Sequence, residues 1–409
     1  MKILFYNHTG KISGAERVLL MILNQGAADI DPVVLCPTDG PLLEVVKERG
    51  IRTVSIDPLA ARFTWRPDRL LRYLFSFLHV IKTMRSLMFV ESPDLIHANS
   101  IRAGLVMAAA TFGFDIPILW HIHDLVPRHP LTTVIRLVVC ASRRNHIVAV
   151  SEAVATRFRG ILLKRFGSRV PVMTILNGID LTQFCPNVES RAETRRALGF
   201  DETRLIIGMV GQLTPRKGQL EAIEAFAKIA DKIPNSDLVI VGEALFNHDH
   251  GYRTRLIQLA GASRRAGRIH FLGPREDVPA LMRAFDLLLL NSRSEAFGLT
   301  VVEAMASETA VVAASVDGVP EIIRHGQSGW LVTPGDRTQL AEALSQLLQD
   351  AQRRRDLAKQ GRLDANERFS SQRFLSEMNS LYKRLLPHGE MPHVLCQKPS
   401  LQKPLHTEN

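Results

Sequence analysis

The residues best suited to chemistry lie in the second half of the chain. In SEAFGLTVVEAMA, Glu295 stands just before a helix expected to begin near Gly298 or Leu299, and Glu303 follows inside that helix eight residues later. The amides of Phe297, Gly298 and Leu299 sit at the helix entrance, where unpaired N–H groups and the helix dipole suit an anion or sugar hydroxyls. Taken alone, the pair has an ordinary reading in which Glu295 caps the helix and Glu303 is a surface acid. A second cluster changes that judgement. In GMVGQLTPRKGQLEAIEAF, Gly211 permits close backbone approach at the end of a strand, and Arg216 and Lys217 stand at the mouth of the next helix. A diphosphate would find two cations there, although a lone Pro-Arg-Lys-Gly turn is more often a solvated loop. Acids, helix-entrance amides and cations together are what a ligand carrying both phosphate and sugar requires.

The first half adds two histidines. In the strand-like run ending LWHIHD, His121 and His123 share a face, and His123 lies nearer the C-terminal edge where sites gather in α/β sheets. A lone histidine at such a place is more often a hydrogen-bonded core residue.

The elements that must position these residues alternate regularly. KILFYNH reads as a strand, followed by a Gly-containing loop from Thr9 to Gly14 and a helix from Glu16 to Gln25. Strands follow near Val33 to Cys36, Leu95 to Ala98, Ile116 to His121 and His146 to Val150. From Arg204 the alternation restarts with LIIGMVG, a helix from Gly218 to Ala230, then DLVIVG, RIHFLG, DLLLLNS, TAVVAAS and WLVTP. The fold class is therefore α/β, with two Rossmann-like doubly wound domains facing across a cleft. The division is 1–175 for the N-terminal domain, 176–203 for a polar connection carrying Asn177-Gly178 and Pro186, and 204–370 for the C-terminal domain. Residues 371–387 form a C-terminal helix packing back toward the first domain, and the polar tail 388–409 is expected to be disordered.

At 409 residues the chain is long enough for two cores, and 46% hydrophobic with 22% charged residues is ordinary globular usage. No window holds about 18 uninterrupted apolar residues, and the start lacks a signal-peptide pattern, so a cytoplasmic protein is expected. The four cysteines make no CxxC pair, and neither a zinc site nor an Asp-x-Asp metal motif is visible. A net charge of +10 favours an anionic partner. Arg62 to Val90 mixes Phe63, Trp65, Tyr73, Phe75 and Phe77 with Arg66, Arg69, Arg72, Lys82 and Arg85. This reads either as a peripheral contact with an anionic membrane or as a core-facing helix with a solvated basic edge. Arg143, Arg144, Arg157, Arg159, Lys164, Arg165 and Arg169 add to the first reading. No nucleic-acid module or aromatic-basic repeat is present, and neither half has a clean GxGxxG.

The order of these segments resembles the family 4 retaining glycosyltransferases of GT-B architecture. The resemblance spans most of the chain and rests on SEAFGLTVVEAMA, VGQLTPRKG, FLGPREDVP and DGVPEIIRHGQSGWLV, with SGAE at 13–16, HIHD and NGID at 177–180 in support. It implies a nucleotide-sugar donor, UDP- or GDP-linked, and a saccharide or lipid-linked acceptor in envelope glycan or glycolipid synthesis. It further implies that no cofactor or metal is used. Carried onto this chain, Lys217 would neutralise the donor diphosphate, Glu303 would hold the ribose hydroxyls and Glu295 would contact the transferring sugar. Val278 would lie against the base, Gly14 would bring its amide to the phosphates from across the cleft, and His123 would contact the sugar near the reacting carbon. Gln212 stands where the family commonly has an Arg, so Arg216 is the candidate substitute. A sugar-nucleotide epimerase, a phosphorylase and a non-catalytic nucleotide-sugar-binding protein remain as alternatives of the same architecture.

Overall fold

A computed structural model describes residues 1–24, 29–59, 67–126, 130–159, 171–244, 250–262 and 266–386. Phe63, Trp65, Arg66, the side chains of Arg69 and Arg72, Lys164, Arg165, Arg169 and the tail 388–409 lie outside the described residues. The chain builds two parallel sheets. The first has the order β3-β2-β1-β4-β5-β6-β7, from β1 (Lys2–Tyr6), β2 (Asp31–Cys36), β3 (Arg52–Ser55), β4 (Leu95–Ala98), β5 (Ile118–Ile122), β6 (Asn145–Ala149) and β7 (Val172–Thr174). The second runs β10-β9-β8-β11-β12-β13, from β8 (Leu205–Val210), β9 (Ser236–Val241), β10 (Ile269–Gly273), β11 (Leu287–Leu290), β12 (Ala310–Ala314) and β13 (Trp330–Val332). Their central strands are continuous apolar runs, because helices cover both faces and leave no polar side. Strand order reverses between β1 and β4 in one sheet and between β8 and β11 in the other. The loops that leave these strands diverge there and open a crevice at each sheet's carboxyl edge.

The stretch 176–203 holds a helix, Val188–Ala197, capped by Asn187. It is fastened to the second sheet by charge: Arg191 and Arg195 donate to Asp286 at 2.8 and 3.2 Å and to carbonyls of the 283–285 turn. The helix Ser371–Leu385 leaves the second domain and joins the core of the first, where Phe374, Met378 and Tyr382 pack with Ile3, Phe5 and Leu119. Ile179 and Ser370 form a parallel bridge, so the two crossings between domains lie side by side. The helix Pro67–Glu91 buries Val80, Met84 and Met88, and exposes Leu74, Phe75, Leu78, Phe89 and Val90. Arg85 on this helix donates to the carbonyls of Ala110 and Phe112 at 2.8 and 2.7 Å, so its charge is used within the domain. Arg144 and Arg159 likewise engage Asp115 and Glu152, and Arg157 pairs across the domains with Asp317 at 3.8 Å.

Candidate functional site

The turn after β8 places the cations. Pro215–Lys217 forms a single 3₁₀ turn that ends at Gly218, whose φ of 68° carries the chain into the helix Gln219–Ile229. A Cβ at Gly218 would stand 2.2 Å from the Asn291 carbonyl oxygen, so glycine is needed both for the backbone sign and for space. Gly211, at φ 149°, closes β8 beside the Lys217 side chain. The Gly242 residue after β9 approaches the Gly211 carbonyl so closely that a Cβ would meet it at 2.0 Å.

The loop after β11 places the acids. Lys217 Nζ donates to Glu295 Oε2 at 2.6 Å, Ser292 Oγ donates to the same oxygen at 3.0 Å, and Arg216 lies 3.9 Å from it while donating to the Ser294 carbonyl. Burial pushes the Glu295 carboxyl up, but Lys217, Arg216 and the Ser292 hydroxyl outweigh it and hold the group below its ordinary range. The Glu295 backbone is clamped from β12's following loop: its N–H donates to Asp317 Oδ2 at 3.1 Å, and its carbonyl accepts from Gly318 N–H at 3.1 Å. Asp317 adopts φ 43°, a costly conformation for a non-glycine residue.

Gly298, at φ 114°, is the N-cap of the helix Leu299–Ala306 and makes no side-chain cap bond. Glu295 therefore does not cap this helix; its carboxylate is turned to Lys217. Glu303 is no surface acid either. It is 4% exposed, its Oε2 has no hydrogen-bond partner among the described residues, and burial raises its carboxyl while Arg17 from the first domain, 3.9 Å from Oε1, lowers it in part. Phe297 is buried edge-on to Phe369, and Leu299 lies where a Cβ on Gly14 would touch it at 3.4 Å. Val278 begins the helix Val278–Ala284 with its side chain in the core.

From the first domain, Gly14 opens the helix Gly14–Asn24 against Leu299, and His123 follows β5 half-buried. His123 Nε2 is 3.1 Å from Asn99 Oδ1, and burial lowers its pKa to about 3. His121 lies fully buried behind it, the rings 4.0 Å apart, and continues through His97 at 3.3 Å to the Tyr382 hydroxyl, 2.7 Å from His97. Asp124 was not singled out in the sequence. Although the residue is exposed, desolvation by the surrounding protein raises its carboxyl against the pull of Arg216 and Arg102, with Glu295 adding to the rise. Its adjacency to His123 at the strand edge is the only signal that sequence offered. Equally unforeseen, Glu321 accepts from Glu152 N–H and Ala153 N–H at 2.7 Å each, and Ser151 donates to the Ala296 carbonyl at 2.6 Å. The second domain thus caps a helix of the first. Groups from both domains thus meet here, with Arg17 beside Glu303, Gly14 against Leu299, and Gly298 next to Glu295 and its partner Lys217.

Family comparison accounts for both halves. The Glycosyl transferases group 1 model matches residues 190–364, and the Glycosyltransferase Family 4 model matches residues 12–183. The D-inositol 3-phosphate glycosyltransferase of Salinispora arenicola is 31% identical over 315 residues, covering 71% of this chain and 68% of that protein. The chain belongs to the group 1, family 4 glycosyltransferases. The corresponding enzyme of Salinispora tropica is 29% identical over 382 residues, or 87% of this glycosyltransferase and 75% of its relative. Among solved structures, Anabaena HepE in complex with UDP and glucose superposes with a TM-score of 0.78 at 29% identity, covering 93% of this chain and 99% of that one. This glycosyltransferase accordingly has the GT-B architecture, and its two cation- and acid-bearing loops flank the switch point of the second sheet.

Proposed function

We propose that this glycosyltransferase moves a hexose, with retention, from a UDP- or GDP-sugar to a hydroxyl of a saccharide or lipid-linked acceptor used in envelope glycan or glycolipid synthesis. The observation that carries the reading is the Lys217–Glu295 pair set across the entrance of the Leu299–Ala306 helix from buried Glu303. Negative charge grows on the nucleotide diphosphate as the sugar leaves. Lys217, Arg216 and the helix-entrance amides are fixed cations and dipoles aimed at such charge, which lets the transfer proceed without a divalent metal or a cofactor. Glu303, with a buried oxygen lacking any partner, is matched to ribose hydroxyls, which donate. Glu295 and His123 hold the sugar, Gly14 brings its amide to the phosphates from across the cleft, and Gly211, Phe297, Gly298 and Leu299 line the donor seat. Uridine is the favoured base because HepE was solved with UDP and glucose.

The acceptor enters along the wall that carries His123 and Asp124. The outward Leu74, Phe75 and Leu78 on the helix Pro67–Glu91 supply an apolar surface for peripheral contact with the inner face of the cell membrane. None of the described helices is long and apolar enough to cross a membrane. The test is calorimetric titration of the chelator-treated protein with UDP, GDP and ADP, repeated with Lys217→Ala and Glu303→Ala. Binding of one nucleotide, weakened by both substitutions, is expected, and Lys217→Ala should lower turnover about 10²–10³-fold. A folded protein that binds none of them at millimolar concentration would remove the donor seat from this cleft.

A further inference from the structure

A buried chain of side-chain hydrogen bonds runs from the N-terminal glycine loop to His123. Ser13 N–H donates to Glu16 Oε2 at 2.9 Å, and Asn7 Nδ2 donates to Glu16 Oε1 at 3.1 Å and to the Thr9 carbonyl at 2.6 Å. Carboxylate and carbonyl oxygens can only accept, so both acceptors demand the amide nitrogen of Asn7 and turn its Oδ1 the other way. That oxygen accepts from Asn99 Nδ2 at 3.0 Å, which in turn leaves Asn99 Oδ1 facing His123 Nε2 at 3.1 Å. Asn7, Asn99 and Glu16 are all buried, so water is not at hand to relax a mismatched link. An amide oxygen opposite Nε2 requires hydrogen on that nitrogen.

We propose that Glu16, acting through Asn7 and Asn99, is a positioning residue that fixes His123 as its Nε2–H tautomer and thereby assigns Nδ1 as the atom that accepts a hydrogen bond from a hydroxyl of the substrate. A neutral imidazole carries one N–H, so consuming Nε2 within the protein leaves only an acceptor for the ligand. The burial that keeps His123 neutral down to low pH preserves this polarity through the physiological range. His123 then serves a sugar hydroxyl and not a phosphate oxygen, for which it would need to donate. This rests on the reading that His123 faces substrate.

The direct test is two-bond ¹H–¹⁵N correlation spectroscopy of the histidine-labelled full chain, with the His123 ring assigned by its loss in His123→Gln. A pyrrole-type Nε2 and a pyridine-type Nδ1 are expected at pH 7. A protonated Nδ1 with a bare Nε2 in the unmodified protein overturns the proposal, whatever the variants do. Glu16→Gln replaces the anionic one of the two acceptors that orient Asn7 with an amide that cannot satisfy both Asn7 and Ser13 as an acceptor, and leaves the Thr9 carbonyl to hold Asn7 alone. It should produce a mixture of tautomers and lower kcat about tenfold while the donor KM stays within twofold, with Glu16→Asp recovering part of the loss. A Glu16→Gln protein with the wild-type tautomer and kcat sinks the role given to Glu16. Unimpaired turnover of His123→Gln overturns the underlying reading of His123 instead, and the spectrum of the unmodified protein tells that failure apart.

Discussion

Glu295 and Lys217 each serve as the other's counter-charge, and Ser292 fixes the same carboxylate oxygen from below. A diphosphate entering the cleft would compete with Glu295 for the ammonium, so substrate binding exchanges one ion pair for another and need not bury a bare charge. Glu303 has no such partner. Its carboxyl is buried and, among the described residues, has Arg17 at 3.9 Å to offset part of the loss of water, so at neutral pH the charged form costs stability. Glu303→Gln is therefore expected to raise the unfolding free energy by about 0.5–2 kcal/mol while weakening nucleotide binding. Thermal melts and calorimetry on one preparation check both, and a variant that loses stability contradicts this account of the site. Four histidines set a further expectation. Burial lowers His8 to about 4, His97 and His123 to about 3, and His121 well below its ordinary value. Unfolding restores ordinary imidazoles that take up protons near pH 6.5, so the unfolded state binds more protons between that pH and the folded values. Through these rings, stability should be flat between pH 7 and 8 and fall as pH drops toward 5, by up to roughly 1.4 kcal/mol per pH unit for each fully buried ring. Melting temperatures that do not change between pH 7 and 5 would contradict it.

At the scale of elements, Gly14, Lys217 and Glu295 depend on loops that leave strands at a reversal of strand order, whereas His123 follows β5 and Val278 follows β10. Gly218 is the tightest joint, since it ends the Lys217 turn and rests against Asn291, whose Nδ2 donates back to the Gly218 carbonyl at 3.0 Å. Gly218→Ala should cost about 2–4 kcal/mol through the left-handed backbone and the contact with Asn291, and should lower turnover by displacing Lys217. Urea unfolding with parallel kinetics measures both, and an unaltered midpoint would show that the turn relaxes freely. Much of this arrangement was legible beforehand. The six strands of the second sheet announce themselves as apolar runs ended by glycine or polar residues, and the start of the Leu299–Ala306 helix was expected at Gly298 or Leu299. β3 and β7 passed unnoticed because edge strands of four and three residues, half-buried, carry no sustained pattern. The helix Val188–Ala197 was hidden by its polarity, since it docks through arginines and not through an apolar stripe. Glu295 meeting Lys217 could not be read at all. Seventy-eight positions separate them, and only the adjacency of β8 and β11 brings their loops together. The clamp of Asp317 and Gly318 on Glu295 is invisible for the same reason, because it depends on β11 lying beside β12.

At the scale of the whole molecule, polar contacts beside the cleft join the two domains alongside apolar ones such as Leu299 against the first domain's core. Glu321 caps the Glu152–Phe158 helix from across the divide, and Ser151 reaches the Ala296 carbonyl in the loop that also holds Glu295. Removing a carboxylate that accepts two backbone N–H bonds withdraws charge-assisted interactions worth about 1.5–3 kcal/mol each. Glu321→Ala should therefore shift the protein toward a wider cleft, enlarging its radius of gyration in small-angle scattering and raising the donor KM with a smaller effect on kcat. An unchanged scattering profile and KM would show that these bonds do not govern closure. The side-by-side crossings at Ile179 and Ser370 bear on how the molecule is made. The first domain's hydrophobic interior borrows Phe374, Leu375, Met378, Leu381 and Tyr382 from a helix that a ribosome completes only after the whole second domain. The domain synthesised first is thus the one finished last. A nascent chain carries an uncovered apolar seam over Ile3, Phe5 and Leu119 throughout translation of the intervening residues, and it needs shelter for as long as that takes.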